Sequence, residues 1–196
     1  MNQGSSTSRL LRGLDIAFSM IGLVGLSPFF LIITAMGLLE TGSPFFHQIR
    51  VGRYRQPFTL VKFRTMRLDT PSVATHLADA ATITRLGRIL RRTKLDELPQ
   101  LWNVIKGEMS LVGPRPCLPQ QVELINARAA RRVFDQRPGI TGLAQVHGMD
   151  MSDAQKLAEW DARMLASFSL AAYFRYIAQT VIGAGRGDRI DSGGNQ

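Results

Sequence analysis

From Ile16 to Leu39 the chain carries no charged side chain, and Ser27 and Pro28 stand in the middle of that run. As one α-helix its 24 residues would extend roughly 36 Å at about 1.5 Å per residue. A hydrocarbon core needs about 20 apolar residues, so length alone allows a span. Pro28 lacks a backbone N–H and clashes with the preceding turn, which predicts a kink or break there. Each half is then too short to cross alone. Arg9 and Arg12 precede the run, and Arg50, Arg53 and Arg55 follow it. Positive residues favour the cytoplasmic side. A re-entrant hairpin over residues 9–42 satisfies that bias at both ends, whereas a straight span violates it at one. The hairpin is the expectation and the straight span its alternative. A signal peptide lacks a convincing small-residue cleavage site near Glu40–Ser43, and a buried core helix of this length would be long for such a domain. In a hairpin the carbonyls freed at the break need a partner such as the Ser27 hydroxyl, because unsatisfied polar groups cost several kcal/mol in lipid.

The whole chain has 196 residues, enough for one domain with a real core. Its net charge of +9 favours anionic partners: nucleic acid, nucleotides or an acidic lipid surface. A single cysteine, Cys117, excludes an intramolecular disulfide, and His47, His76 and His147 lack metal-ligand spacing. Residues 1–8 read as a disordered lead and 184–196 as a flexible tail. Between them, Pro57–Met66 reads as a strand with Lys62 and Arg64 on one face; the plain reading of that face is a solvated surface. Residues 67–82 read as a loop. Helices are predicted over Thr84–Arg92, from a capping-box spacing at Thr93–Asp96 to Gly107, over Leu118–Gln136 with Val122, Ile125 and Val133 inward, and over Asp153–Ala166. Leu170, Tyr173, Phe174, Ile177 and Val181 form a last stripe, suited either to a membrane interface or to an ordinary core.

Chemistry concentrates between Asp96 and Pro116. Asp96 and Glu97 form an adjacent acid pair, and Gly113-Pro114-Arg115-Pro116 is a stiff turn presenting an arginine. Acidic residues in a helix's first turn are common, worth about 0.3–1 kcal/mol each through the helix dipole. The functional reading uses the same electrostatics: a carboxylate kept ionised by a helix N-terminus and arginines can attack phosphorus. A hard divalent ion, Mg²⁺ by preference, would offset the repulsion between two anions. Arg91 and Arg115 are candidate phosphate ligands, although either alone is equally an ordinary surface charge.

Three strings carry a resemblance: KFRTM at 62–66, LDELPQLWNVIKGEMSLVGPRP at 95–116 and RPGITGLAQV at 137–146. With the Ser-Pro-interrupted apolar segment, they resemble the bacterial sugar transferases, the monotopic phosphoglycosyl transferases, over residues 9–182. The resemblance implies an α/β (α+β) fold, mostly helical with a small sheet, amphipathic interfacial helices and a catalytic domain over 43–183. It implies a monotopic protein on the cytoplasmic face of the bacterial inner membrane. The reaction implied is transfer of a sugar-1-phosphate from a UDP-sugar to undecaprenyl or another polyprenyl phosphate with release of UMP, an early step of surface-glycan synthesis. By position, Asp96 is implied as nucleophile, Glu97 as its Mg²⁺-linked partner, Arg91 and Arg115 as phosphate ligands, and Ser27-Pro28 as the helix break. Lys62 and Arg64 fall in a family motif and join the candidate phosphate ligands. After GLAQV the family often reads Asn-Gly-Arg; here it reads His147-Gly148-Met149, so one phosphate or sugar contact differs. The chain resembles the minimal catalytic form. A homodimer through the C-terminal helices is compatible with the sequence but not demanded by it. The rival classes are a basic membrane-tethered binding module, an aspartyl-phosphate hydrolase and an inactive scaffold. The absence of a nucleic-acid motif argues against a nucleic-acid partner.

Overall fold

The apolar run bends by 63° between two helices, α1 (Gln3–Gly25) and α2 (Ser27–Thr41), in a computed structural model that describes residues 3–70, 80–149 and 151–183. Pro28 sits at the start of α2, where its missing N–H is least costly. The acceptor that an unbroken helix would have offered to residue 28 is the Val24 carbonyl. It accepts the Ser27 hydroxyl instead, at 2.7 Å. Among the described residues no single helix is long and apolar enough to cross a membrane, while the bent pair passes that test together. Residues 3–8, expected as a disordered lead, form the first turns of α1. Residues 71–79 of the expected loop, and the expected tail, lie outside the described residues.

The bent helix pair leads through Gly42, in the left-handed region at φ 72°, into an antiparallel ribbon of β1 (Phe45–Val51) and β2 (Pro57–Phe63). Phe46 pairs with Lys62, Gln48 with Leu60 and Arg50 with Phe58, so these six side chains share one face of the ribbon. The opposite face packs on α2. Phe30, Phe45 and Phe63 form an aromatic cluster with ring centroids 4.9–5.9 Å apart, closed by Ile33, Leu86 and Leu90. α3 (Arg85–Thr93) approaches so closely that a Cβ on Gly87 would stand 2.1 Å from the Thr65 carbonyl oxygen. Only glycine fits there.

α4 (Gln100–Lys106) begins three residues after the acid pair, against the expectation of a helix capped from Thr93. Thr93 remains inside α3, and its hydroxyl donates back to the Ile89 and Leu90 carbonyls. Lys94 then takes a left-handed conformation at φ 59°, and Leu95–Glu97 make one 3₁₀ turn. α4 docks on β2 through Asn103, which is wholly buried. Its Nδ2 donates to the Thr59 carbonyl and its Oδ1 accepts from the Val61 N–H, continuing the hydrogen bonding of the strand edge.

The remaining sheet is a separate parallel pair, β3 (Ser110–Val112) with β4 (Gly139–Thr141), so the expected small sheet is two two-stranded sheets. Gly113 and Gly139 cross at van der Waals contact; a Cβ on Gly139 would lie 2.0 Å from the Gly113 nitrogen. The expected helix over 118–136 is shorter, α5 (Val122–Ala130). It is followed by a left-handed Arg132 and a 3₁₀ turn. Its inward face is Leu124, Ala127 and Arg128, while Val122 is exposed. Three helices complete the fold: α6 (Leu143–Val146), α7 (Ala154–Ala166) and α8 (Leu170–Ile182). The stripe on α8 divides. Tyr173 packs inward, whereas Phe174 and Val181 are exposed.

α1 is fastened to this body by polar groups. Arg12 donates to the Val104 and Ile105 carbonyls, capping the C-terminus of α4. The buried Asp15 accepts from the Ser110 hydroxyl, the Leu111 N–H and the Tyr173 hydroxyl at 3.0–3.1 Å.

Candidate active site

The acid pair lies where the ribbon, the 3₁₀ turn and the Gly113–Pro116 turn converge. Asp96 is buried and Glu97 partly so. Glu97 Oε1 stands 3.6 Å from Arg115 Nη1. Glu97, Arg115, Lys62, Arg50 and Gln100 line an open cleft of about 320 Å³ floored by Leu60, Pro116 and Ile140. The polar face of the β1–β2 ribbon therefore delivers two cations, Arg50 and Lys62, toward the two carboxylates.

Lys62 registers that environment. Burial pushes its ammonium below the ordinary lysine pKa, and Arg50, Arg91 and Arg115 push the same way. Asp96 opposes them by attraction. The site holds more positive than negative charge around Lys62. A polyanion placed in the cleft would relieve that excess.

Each cation is held differently. Arg50 is buried, donating from Nη1 to the Pro116 carbonyl at 2.9 Å and from Nη2 to Gln48 Oε1. Arg91 donates from Nε to the Thr65 hydroxyl at 2.9 Å. Arg115 is steered through its backbone: its carbonyl accepts from Arg128 Nη1 at 2.8 Å. Arg128 is itself buried and paired with Asp161 of α7 at 2.7 Å. Arg64, expected with the phosphate ligands, does not line the cleft. Its guanidinium bonds the Ser43 and Phe45 carbonyls and lies against the Phe46 ring, which also faces Lys62. The fold thus gathers Asp96, Glu97, Lys62, Arg91 and Arg115, and assigns Arg64 to the joint between hairpin and ribbon. Ser27 and Pro28 stand apart at the bend between α1 and α2.

Sequence reasoning missed Arg50, Gln100, Asn103 and Arg128. For Arg50 a signal existed, since it alternates with Gln48 and matches the parity of Lys62 once the ribbon register is known. Arg128 carried none, because its partner lies 33 positions away. Met149, at the position where an arginine is usual, packs against the core around Cys117, Leu124 and Ala158. It is not among the residues lining the cleft.

The donor set fits a hard divalent cation: two carboxylates, one buried and one at the cleft wall. Among the described residues no group of three or more His, Cys, Asp or Glu is arranged to hold a metal. A Mg²⁺ ion would thus take its other ligands from phosphate oxygens and water, as such ions commonly do.

A profile of bacterial sugar transferases matches residues 6–186. The chain belongs to the bacterial sugar transferase family. The uncharacterized sugar transferase EpsL of Bacillus subtilis is 39% identical over 173 residues, covering 88% of this chain and 85% of that protein. The exopolysaccharide production protein ExoY of Sinorhizobium fredii is 36% identical, covering 87% of this chain and 83% of its own. A UDP-glucose:undecaprenyl-phosphate glucose-1-phosphate transferase of Caulobacter vibrioides is 43% identical over 145 residues, 70% of this chain and 54% of that protein. For a sugar transferase, a cleft lined by Arg50, Lys62 and Arg115 beside Glu97 suits a donor that carries phosphate.

Proposed function

We propose that this sugar transferase moves a sugar-1-phosphate from a UDP-sugar to undecaprenyl phosphate or another polyprenyl phosphate and releases UMP. The observation that carries the reading is the cleft lined by Glu97, Arg50, Lys62 and Arg115, with the buried Asp96 and Arg91 behind its wall close enough to act on Lys62. The name of the Caulobacter relative supports the pairing of nucleotide sugar with lipid phosphate.

The reaction is a double displacement. A carboxylate oxygen of Asp96 attacks the β-phosphorus of the UDP-sugar. The bond from that phosphorus to the oxygen bridging it to the α-phosphorus breaks, and UMP departs with the bond's electron pair. A phosphate oxygen of the lipid then attacks the same phosphorus. The acyl phosphate bond breaks, the Asp96 carboxylate returns, and a polyprenyl diphosphosugar leaves. Two steps at one phosphorus let a small cleft serve a soluble donor and a lipid acceptor in turn. Arg115 and Lys62 orient phosphate oxygens and offset their charge. Asp96 and Glu97 would hold Mg²⁺, which supplies further neutralisation between carboxylate and diphosphate.

The hairpin anchors the enzyme as a monotopic protein on the cytoplasmic face of the bacterial inner membrane. Its support is the bent apolar pair with basic flanks, together with exposed Ile21, Val24, Leu31, Leu39, Trp102, Val181 and Ile182. The acceptor's phosphate can then reach the cleft while its chain stays in lipid. The pathway served is assembly of a surface glycan.

The test is UMP release in detergent with a panel of UDP-sugars and undecaprenyl phosphate, with Mg²⁺ present or chelated. Release that requires Mg²⁺, the lipid for turnover and Asp96 supports the whole scheme. Sustained release without lipid, yielding free sugar phosphate, would make water the acceptor and the protein a hydrolase.

A further inference from the structure

A second cavity of about 1180 Å³, against about 320 Å³ for the cleft, lies between α1 and the α7–α8 corner. It shares no lining residue with the acid-pair cleft. One face of α1 supplies Ser8, Leu11, Arg12 and Asp15, spaced three and four residues apart. Arg137, from the RPGITG segment, lines the wall with Leu165 and Phe168.

The charges in this cavity are unequal in their commitments. Asp15 is taken up by three donors. Arg12 caps α4. Arg137 donates only from Nε, to the Gly107 carbonyl at 2.8 Å, and its two terminal nitrogens make no hydrogen bond or ion pair among the described residues. Burial and the nearby Arg12 both press its pKa down. The three donors share Asp15 Oδ1, and Oδ2 stands 3.9 Å from Arg12 Nη1. Among the described residues Arg137 is then the cavity cation without a carboxylate partner, which leaves a place for one phosphate anion. Leu11, Leu165 and Phe168 add an apolar side to a wall that also carries Ser8, Ser110 and Gln136. Such a mixed wall suits an amphiphile better than an inorganic ion.

Position favours the same class. Asp15 is the last charged residue before the uncharged run. One turn further along α1, Phe18 meets Phe174 of α8 edge to face at 6.1 Å, and both rings are exposed. The cavity thus stands just above the level at which α1 becomes wholly apolar.

We propose that this cavity binds the headgroup of an acidic phospholipid, with Arg137 and Arg12 on the phosphate and Leu11, Leu165 and Phe168 against the start of the acyl chains. The lipid would clamp the hairpin to the catalytic body from the side away from the acid pair. This rests on the membrane reading of the hairpin.

Thermal unfolding of the full chain in neutral detergent tests it, with phosphatidylglycerol or phosphatidylcholine added at equal ratio. Phosphatidylglycerol should raise the wild-type Tm and phosphatidylcholine should not. Arg137→Gln should lose most of that rise, while Arg92→Ala, at an exposed site on α3, should keep it. Ser8→Glu leaves the packing intact and sets a carboxylate at the rim; it should also lose most of the rise. Equal shifts with both lipids, or a full shift in both Arg137→Gln and Ser8→Glu, would overturn the proposal. So would inorganic phosphate reproducing the shift, which would make the ligand a free anion. An Arg137-dependent shift with undecaprenyl phosphate alone would overturn it too, since the occupant would be the acceptor. Flotation of wild type on phosphatidylcholine vesicles separates the two readings. Loss of flotation would remove the anchor itself, whereas flotation without a phosphatidylglycerol effect would remove only the lipid pocket.

Discussion

Two arginine–carboxylate pairs, linked through the Arg115 carbonyl, do opposite work in this molecule. Arg128 and Asp161 meet at 2.7 Å with side chains 2% and 1% exposed. Arg115 and Glu97 meet at 3.6 Å with side chains 28% and 19% exposed. The first pair is sealed, and its reach extends to the Arg115 carbonyl. The second is loose and borders the cleft. A guanidinium that is already well satisfied gains little from a ligand; one held at a distance can trade its carboxylate for phosphate. The Gly-Pro-Arg-Pro turn marks Arg115 in the sequence, whereas nothing local marks Arg128, whose partner lies 33 positions away.

The contrast can be broken from either side. Asp96→Asn, within the open site, should lower UMP formation by a factor of about 10³ or more, with an unfolding midpoint close to wild type. A variant that unfolds, or one that turns over at full rate, removes Asp96 from the nucleophile's role. At the sealed pair, Arg128→Met alone should cost about 3–5 kcal/mol by stranding Asp161, read as a lowered midpoint in urea. The double variant Arg128→Met/Asp161→Leu should recover much of that stability. It should still show weakened donor binding, because the Arg115 carbonyl has lost its anchor.

Arg115→Lys keeps the charge and loses the fork. A drop on the order of tenfold to a hundredfold in kcat/KM with unchanged stability would set the loose pair apart from the sealed one. Lys62 gives a pH-dependent version of the same test. Its charge is present below its lowered pKa and lost above it. The alkaline limb of activity should therefore fall below the ordinary lysine range, and Lys62→Arg should move it upward. The smallest effect is expected at the hairpin tip. Ser27→Ala removes the hydroxyl that satisfies the Val24 carbonyl and should cost about 1 kcal/mol, seen as a small drop in Tm in detergent.

Legibility tracked the range of the interactions. The break at Ser27-Pro28, the left-handed stop at Gly107 and the amphipathic Ala154–Ala166 helix rest on local rules and were readable. The helix expected from Thr93 failed because Thr93 bonds backward into α3 and Lys94 reverses the chain, both favoured by packing of Leu90, Leu95 and Leu98 on the aromatic cluster. The helix expected to Gln136 stops at Ala130 because Arg132 turns left-handed, and its inward face carries a charged side chain, Arg128, beside Leu124 and Ala127. Hydrophobic periodicity has no term for a buried ion pair. In the candidate site, Asp96, Glu97 and Arg115 were legible from motif strings. Arg50 was hidden until the ribbon register put it on the Lys62 face, and Arg64 lies past the end of β2, where the Ser43 and Phe45 carbonyls take it.

By itself the sequence determined that an uncharged run must bend at Pro28, that two acidic residues sit next to a stiff Gly-Pro-Arg-Pro turn, and that the chain is strongly basic. These follow from backbone chemistry and charge, which need no partner. Only the tertiary structure decided which cations meet the carboxylates, which arginine is sealed and which is open, and where α1 leaves a second cavity. Those outcomes depend on distance through space between residues as far apart as Asp15 and Tyr173. Burial then sets how strongly each charge is felt.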